Sequence, residues 1–321
     1  MVVRMTDQLP KPIIIDTDPG QDDAIAVLFA LAAHNQLDVL GITAVAGNVP
    51  VNRTSRNARI IADWANRSDV PVFAGCSRPL VRELITAEQI HGTEGLGGVP
   101  LHEPRTGLGK GHAVEFLVKT LSQSPERTIT LCCIGPLTNL ACALIQSPEI
   151  ARQIKEVVIM GGAYFTRGNI TPVAEFNVYV DPHAAAVVFS SGLSITVFPL
   201  DVTHKVLTTR ARIETIRKIG NQAGRVISDI LTYQEQREIG KPGFKGSPLH
   251  DPCTIGYLLD PSLFTGRRVN VSIETASELT LGETVIDSNG ITARKANAYW
   301  MTDADSERFY SLLTKAVAAL P

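Results

Sequence analysis

Four aspartates fall within eight positions in the segment DTDPGQDD: Asp16, Asp18, Asp22 and Asp23. They follow an apolar run, PIII, without a break. Two unit charges about 4 Å apart repel by roughly 4 kcal/mol at an effective dielectric near 20. Asp22 and Asp23 fall where a helix would begin, but a helix N-terminus favours a carboxylate by only about 0.3–1 kcal/mol. That dipole cannot hold the cluster ionised, so protons or a divalent cation must neutralise it. Ligands that are all oxygen suit Ca²⁺ or Mg²⁺ rather than zinc. The spacing is not that of an EF-hand loop, which alternates its ligands and ends on a glutamate. One or two aspartates would read as a capped turn; four at one point read as a site.

The surrounding pattern says what must position these groups. PIIID (12–16) reads as a buried strand, and 22–33 as a helix with Ile25, Leu28, Phe29 and Ala32 on one face. Further strands at 38–47, 70–75, 127–135, 156–162 and 194–200 alternate with helices at 52–65, 137–146, 182–191 and 208–238. This rhythm, with continuously apolar strands, predicts a single-domain α/β fold: a mostly parallel, Rossmann-like sheet with helices on both faces. Ligands of such sheets bind outside the carboxyl ends of the strands, which is where Asp16 and Asp18 fall. Two long irregular stretches, 76–111 and 162–177, interrupt the rhythm and are candidates for function. After Arg267 the pattern gives two or three strands and a closing helix from Asp303 to Ala319. One domain is expected over 11–321, behind a loose extension at 1–10.

Composition narrows the class. Hydrophobic residues make up 44%, charged residues 19%, and the formal net charge is −2, which suits a soluble globular enzyme. The basic residues are scattered, so neither nucleic acid nor a membrane surface is an expected partner. No apolar run approaches the roughly 20 residues that span a bilayer, and the N-terminus has no secretion-signal pattern. The five cysteines are odd in number and form no CxxC pair. Reduced thiols in a cytoplasmic protein are therefore expected.

DTDPGQDDAIA resembles the N-terminal signature of the inosine–uridine-preferring nucleoside hydrolases, DxDPGxDDAxA. Further matches follow in family order: AVAGN (44–48), IHGTEGLGG (90–98), GPLTN (135–139), VIMGGA (158–163), GNITPVAEFNVYVDP (168–182), PLDVTHK (199–205) and LHDPC (249–253). The resemblance covers about 12–320 and implies the nucleoside hydrolase fold. It also implies hydrolysis of the N-glycosidic bond of ribonucleosides to ribose and free base, in nucleoside salvage or catabolism. One Ca²⁺ would be held by Asp18, Asp23, Asp251 and the main-chain carbonyl of Ile134, a position that is commonly Thr in relatives. By the same resemblance Asp18 would deprotonate water and Asp16 would steady the arrangement from behind. Asp22, Asn177 and Asp251 would grip the 2′- and 3′-hydroxyls, with Asn48 supporting the ribose and Met160 packing beside it. Asn169 and Glu175 would hold the 5′-hydroxyl, a contact that would reject a 5′-phosphate.

His250, beside Asp251, is the expected general acid for the departing base, and His91 a second histidine facing it. His34, His102, His112 and His183 read as structural, and His204 mainly so. Having both His91 and His250 resembles the members that favour pyrimidine nucleosides or accept both classes. Tyr233, Gln234 and Phe244 are possible base contacts; Trp64 and Trp300 sit in no segment that reaches the base. Relatives are homodimers or homotetramers. Two rivals stand beside this reading. A haloacid-dehalogenase-like phosphohydrolase also places DxD after a strand, but DPGQDD lacks its usual follow-on residues. A non-catalytic nucleoside- or Ca²⁺-binding protein of the same fold is the other.

Overall fold

The computed structural model describes residues 9–239 and 245–321. The expected extension lies outside the described residues apart from Leu9 and Pro10, and so does Phe244. The chain runs β1 (Lys11–Thr17), α1 (Gln21–Ala32), β2 (Leu37–Ala44), α2 (Val51–Trp64), β3 (Val72–Ala74), α3 (Glu88–His91), α4 (Ala113–Ser122), β4 (Ile129–Cys133), α5 (Thr138–Gln146), β5 (Ile154–Met160), α6 (Phe176–Val180), α7 (Pro182–Ser190), β6 (Ile195–Phe198) and α8 (Leu200–Thr203). It continues through β7 (Leu207–Thr208), α9 (Arg210–Arg217), α10 (Gln222–Glu238), β8 (Ser247–Pro248), α11 (Pro252–Leu259), β9 (Phe264–Ile273), β10 (Thr284–Asp287), β11 (Ala298–Ala304) and α12 (Ser306–Val317).

Nine strands form one sheet in the order β10-β9-β11-β6-β5-β4-β1-β2-β3. The neighbours from β3 to β6, and β11 beside β6, pair in parallel; β9 pairs antiparallel with both β11 and β10. β1 is apolar throughout because both its faces are covered: Ile13 and Ile15 join one hydrophobic layer, Ile14 the opposite one. The order β3-β2-β1-β4-β5-β6 reverses direction between β1 and β4. In such sheets that reversal opens a crevice beyond the strands' C-terminal ends. β1 delivers Asp18 to it, and β4 delivers Ile134 and Gly135.

The structure departs from the periodicity in four places. α1 is buried on every side rather than on one face, because α2, α10, α11 and α12 all pack against it. The stretch 208–238, expected to be mostly helical, is broken into two helices. Gly220, at φ +78°, lies between them in the left-handed conformation that ends helices and that glycine adopts without strain. β11 runs on through Ala304, so the closing helix begins only after Asp305, whose side chain accepts from Arg308 N at 3.1 Å. α4 and α11 were not anticipated: α4 lies at the end of an irregular stretch, and α11 is only 8 residues long. The segment 76–111 is otherwise irregular as expected, apart from the single turn of α3. All five cysteines are free thiols. No described helix is long and apolar enough to cross a membrane.

Candidate active site

The crevice is a cavity of about 630 Å³. Asp22, Asp23, Asn48, His91, Ile134, Met160, Asn169, Glu175, Asn177, His250 and Asp251 all line it. Sequence positions as far apart as 22 and 251 are thus brought together. Asp18 and Asp16 do not reach its wall. Asp18 is fully buried behind it, and Asp16 is 2% exposed.

The acidic turn is organised by its own backbone. Asp23 accepts from Thr17 Oγ1 at 2.5 Å, from Asp18 N at 3.2 Å and from Gly20 N at 3.0 Å. Asn48 N donates to Asp18 Oδ2 at 2.6 Å, and Asn48 Nδ2 donates to Asp18 O and to Asp23 Oδ2. Glycine is required around Asp18: a Cβ at Gly47 would lie 2.1 Å from its Oδ2, and one at Gly135 would lie 2.6 Å from its Oδ1. That Oδ1 is buried without a hydrogen-bond partner. Asp16 sits one layer further back. Its Oδ2 accepts from Thr43 Oγ1 at 2.5 Å and Asn139 Nδ2 at 2.9 Å.

Burial raises the pKa of every carboxyl in the group. Asp16 is pushed up to about 7. Asp18 is raised by burial and then by the charge of Asp23. Asp251 goes well above the usual carboxylate range, through burial first and then Asp23, Asp22 and Asp18. The cluster therefore holds protons unless another positive charge replaces them.

The fit of these residues to the expected Ca²⁺ rests on their chemistry. The expected ligand set (Asp18, Asp23, Asp251 and Ile134 O) is all oxygen and carries three carboxylates, which suits a hard cation. Asp18 Oδ1 is the oxygen left unpaired. As the side chains stand, no three His, Cys, Asp or Glu among the described residues are arranged as a finished metal site. Ile134 O accepts from Asn177 Nδ2 at 3.0 Å. Charge and donor type fit the ion; its coordination geometry is not preformed.

Two histidines reach the cavity from different elements. His91, at the end of α3, accepts from Gln21 N through Nδ1 at 3.3 Å. His250 precedes α11, and its Nδ1 is 2.8 Å from Thr203 Oγ1. Burial lowers both rings to about 4, so each is neutral near pH 7 and offers one N–H. His204, expected to be mainly structural, packs against His250 with ring centroids 5.7 Å apart. The other histidines lie away from the cavity. His34 is exposed, His102 pairs with Asp63, His112 caps α4, and His183 sits on α7.

Glu175 caps α6, accepting from Gly162 N at 3.0 Å, Asn177 N at 2.9 Å and Val178 N at 3.2 Å. Burial nonetheless raises it to about 7. Asn169 is tied to the same turn by Phe176 N, which donates to its Oδ1 at 2.9 Å. Asn177 Nδ2 also donates to Met160 O at 3.1 Å, joining β5 to α6 across the cavity floor.

Of the possible base contacts, Gln234 lines the cavity and donates to Asp22 Oδ1. Tyr233 does not line it. It packs instead on the 92–98 loop, where a Cβ at Gly97 or Gly98 would come within 2.9 or 2.7 Å of it. Trp64 and Trp300, placed in no segment that reaches the base, are core residues. Several wall residues were not anticipated: Gln21, Gln89, Phe176, Arg237 and Glu238. Gln21 ties that loop down through Gly97 O, and Arg237 holds α3 through Gln89 O. The signal for Arg237 and Glu238 was there, since both follow Gln234 by about one helical turn on α10.

Comparison with known proteins agrees with this geometry. The family model described as inosine-uridine preferring nucleoside hydrolase matches residues 13–311. The chain belongs to that family. Its members are N-glycosyl hydrolases of ribonucleosides, and this chain is such an enzyme. A pyrimidine-specific ribonucleoside hydrolase, RihA, of Salmonella gallinarum is 46% identical over 95% of this chain and 97% of its own. An uncharacterized protein of Schizosaccharomyces pombe is 47% identical over 96% and 99%. Among solved structures, a plant nucleoside hydrolase superposes with a TM-score of 0.90 at 31% identity, covering 96% of this chain and 99% of its own. The purine-preferring ribonucleoside hydrolase from Gardnerella vaginalis gives 0.89 at 29% identity, covering 96% and 98%. The phosphohydrolase reading falls with the family assignment.

Proposed function

We propose that the protein is a Ca²⁺-dependent ribonucleoside hydrolase of nucleoside breakdown or salvage that prefers pyrimidines or accepts both base classes. The observation that carries this is the buried group Asp18, Asp22, Asp23 and Asp251, with two neutral histidines in the same cavity. When bound, the cation supplies the positive charge the carboxylates lack and makes water more acidic. Asp18 is the base for the attacking water in this reading: its Oδ1 has no partner, and it lies directly behind the cavity wall, so the water must approach through that wall. Asp22, Asn177 and Asp251 hold the 2′- and 3′-hydroxyls, and Asn48 and Met160 support the ring. Asn169 and Glu175 hold the 5′-hydroxyl. The ring of carboxylates stabilises the cationic sugar of the transition state by preorganised negative potential. His250, assisted by His91, donates its N–H to the base as charge builds there. A hydroxyl of Thr203 donating to Nδ1 would keep that proton on Nε2.

Pyrimidine preference rests on the two histidines and on the similarity to RihA of Salmonella gallinarum, which is described as pyrimidine-specific. A cytoplasmic, dimeric or tetrameric enzyme is proposed with it. The test is chromatographic: kcat/KM for uridine, cytidine, inosine, adenosine and guanosine, with uridine 5′-phosphate alongside. Free base is expected, fastest from a pyrimidine, with the nucleotide turned over poorly. A strict purine preference would overturn the specificity, and absence of free base from all five would overturn the activity.

A further inference from the structure

Asp22 is the one aspartate of the cluster held at both oxygens from distant parts of the chain. His250 N donates to Oδ2 at 2.8 Å. Gln234 Nε2, from the fourth turn of α10, donates to Oδ1 across 212 residues. The same amide's Oε1 is buried and has no partner. An amide that only fastened α10 to α1 would be expected to pair at both ends, because an unpaired buried acceptor costs about 1–3 kcal/mol. Here the pairing is made at the Asp22 end alone. The fixed orientation follows, since turning the amide over would set Oε1 against a carboxylate. Gln234 also lines the cavity; α10 packs against α1, and its Ile227, Ile230 and Leu231 join the same apolar layer as that helix. The amide is therefore carried on a firmly seated helix.

We infer that Gln234 is a positioning residue for the sugar: its N–H aims the Asp22 carboxylate at the ribose hydroxyls, rather than reading the base. The inference rests on the assignment of Asp22 to those hydroxyls in the proposed function. It adds α10 to the elements that select ribose over deoxyribose.

The experiment uses the full chain in its Ca²⁺-supplemented form and two variants, Gln234→Leu and Gln234→Asn. Competitive inhibition of uridine hydrolysis is measured with ribose and 2-deoxyribose, neither of which carries a base. For Gln234→Leu the ribose inhibition constant is expected to rise roughly tenfold, as for loss of one hydrogen bond to a charged group. The constant for 2-deoxyribose should move less than twofold. The shorter amide of Gln234→Asn should recover part of the loss. An unchanged ribose constant with impaired uridine turnover would overturn the inference in favour of a base contact. Equal weakening of both sugars would overturn it in favour of a purely structural role. Wild-type protein releasing no uracil would instead overturn the activity itself.

Discussion

Asp22 and His250 are joined directly: the backbone N–H of His250 donates to Asp22 Oδ2 at 2.8 Å across 228 residues of chain. The sugar end and the base end of the proposed reaction thus share one hydrogen bond. The loop before α11 places the proposed leaving-group donor and the proposed ligand carboxylate, His250 and Asp251, in consecutive positions. The acidic turn after β1 is completed only by that loop. Mutations that separate these roles follow from the geometry.

Asp18 is fully buried, repelled by Asp23, and has one oxygen without a partner. Asp18→Asn removes the proposed base and a repulsive charge at almost constant volume. Turnover of uridine should fall by about 10²–10⁴, the usual range for a general base. The melting temperature of the metal-free protein should hold or rise. Steady-state kinetics and thermal unfolding on the same preparation check both. Near-normal turnover would remove Asp18 from the mechanism.

His250 acts on the leaving base in this account, so its importance should track the base. His250→Ala should slow uridine far more than a nitrophenyl riboside, whose leaving group departs without help. The comparison is a ratio of kcat/KM values, wild type over variant, for the two substrates. Equal ratios would argue that His250 works only through its neighbours.

Stability should depend on pH with an unusual sign in metal-free protein. Burial raises Asp16 and Glu175 to about 7, whereas both titrate near 4 when unfolded. Between those values the folded protein holds protons that the unfolded chain has lost. The linkage slope is therefore negative, about 1.4 kcal/mol per pH unit for each proton. Stability from these groups is full below about pH 4 and is lost as pH rises through 7. Burial lowers His91, His204 and His250 to about 4, and these rings oppose the decline below about pH 6.5. The Asp16 share is therefore read as a difference: in chelated protein the stability of wild type minus that of Asp16→Asn should shrink from pH 4.5 through 6 to 7.5. A difference that grows over the same range would contradict the burial argument.

Much of this site could be read before the fold was known, and the reason is local. DTDPGQDD and the apolar run before it are contiguous, and the rule that ligands bind at strand C-termini puts them at a crevice. Asp251 and His250 were reached only through the family motif LHDPC, since nothing in the chemistry of that segment alone links it to β1. The burial of Asp18 behind the wall was not legible. It follows from close approach at Gly47 and Gly135, which belong to other strands' ends. Likewise the seating of Tyr233 on the 92–98 loop and the bond from Gln234 to Asp22 depend on how α10 crosses α1. A period of 3.6 residues shows that α10 is a helix, not what it lies against. The all-round burial of α1 has the same origin, because α10, α11 and α12, from far along the chain, complete the enclosure that α2 begins.

The central claim is that the buried carboxylates are built to hold a cation on which hydrolysis depends. The direct test is uridine turnover, followed as free uracil, in protein stripped by prolonged EDTA treatment and then resupplied. Activity should vanish with the metal and return with Ca²⁺ more fully than with Zn²⁺. Full uridine turnover by a sample that elemental analysis finds free of metal would contradict it.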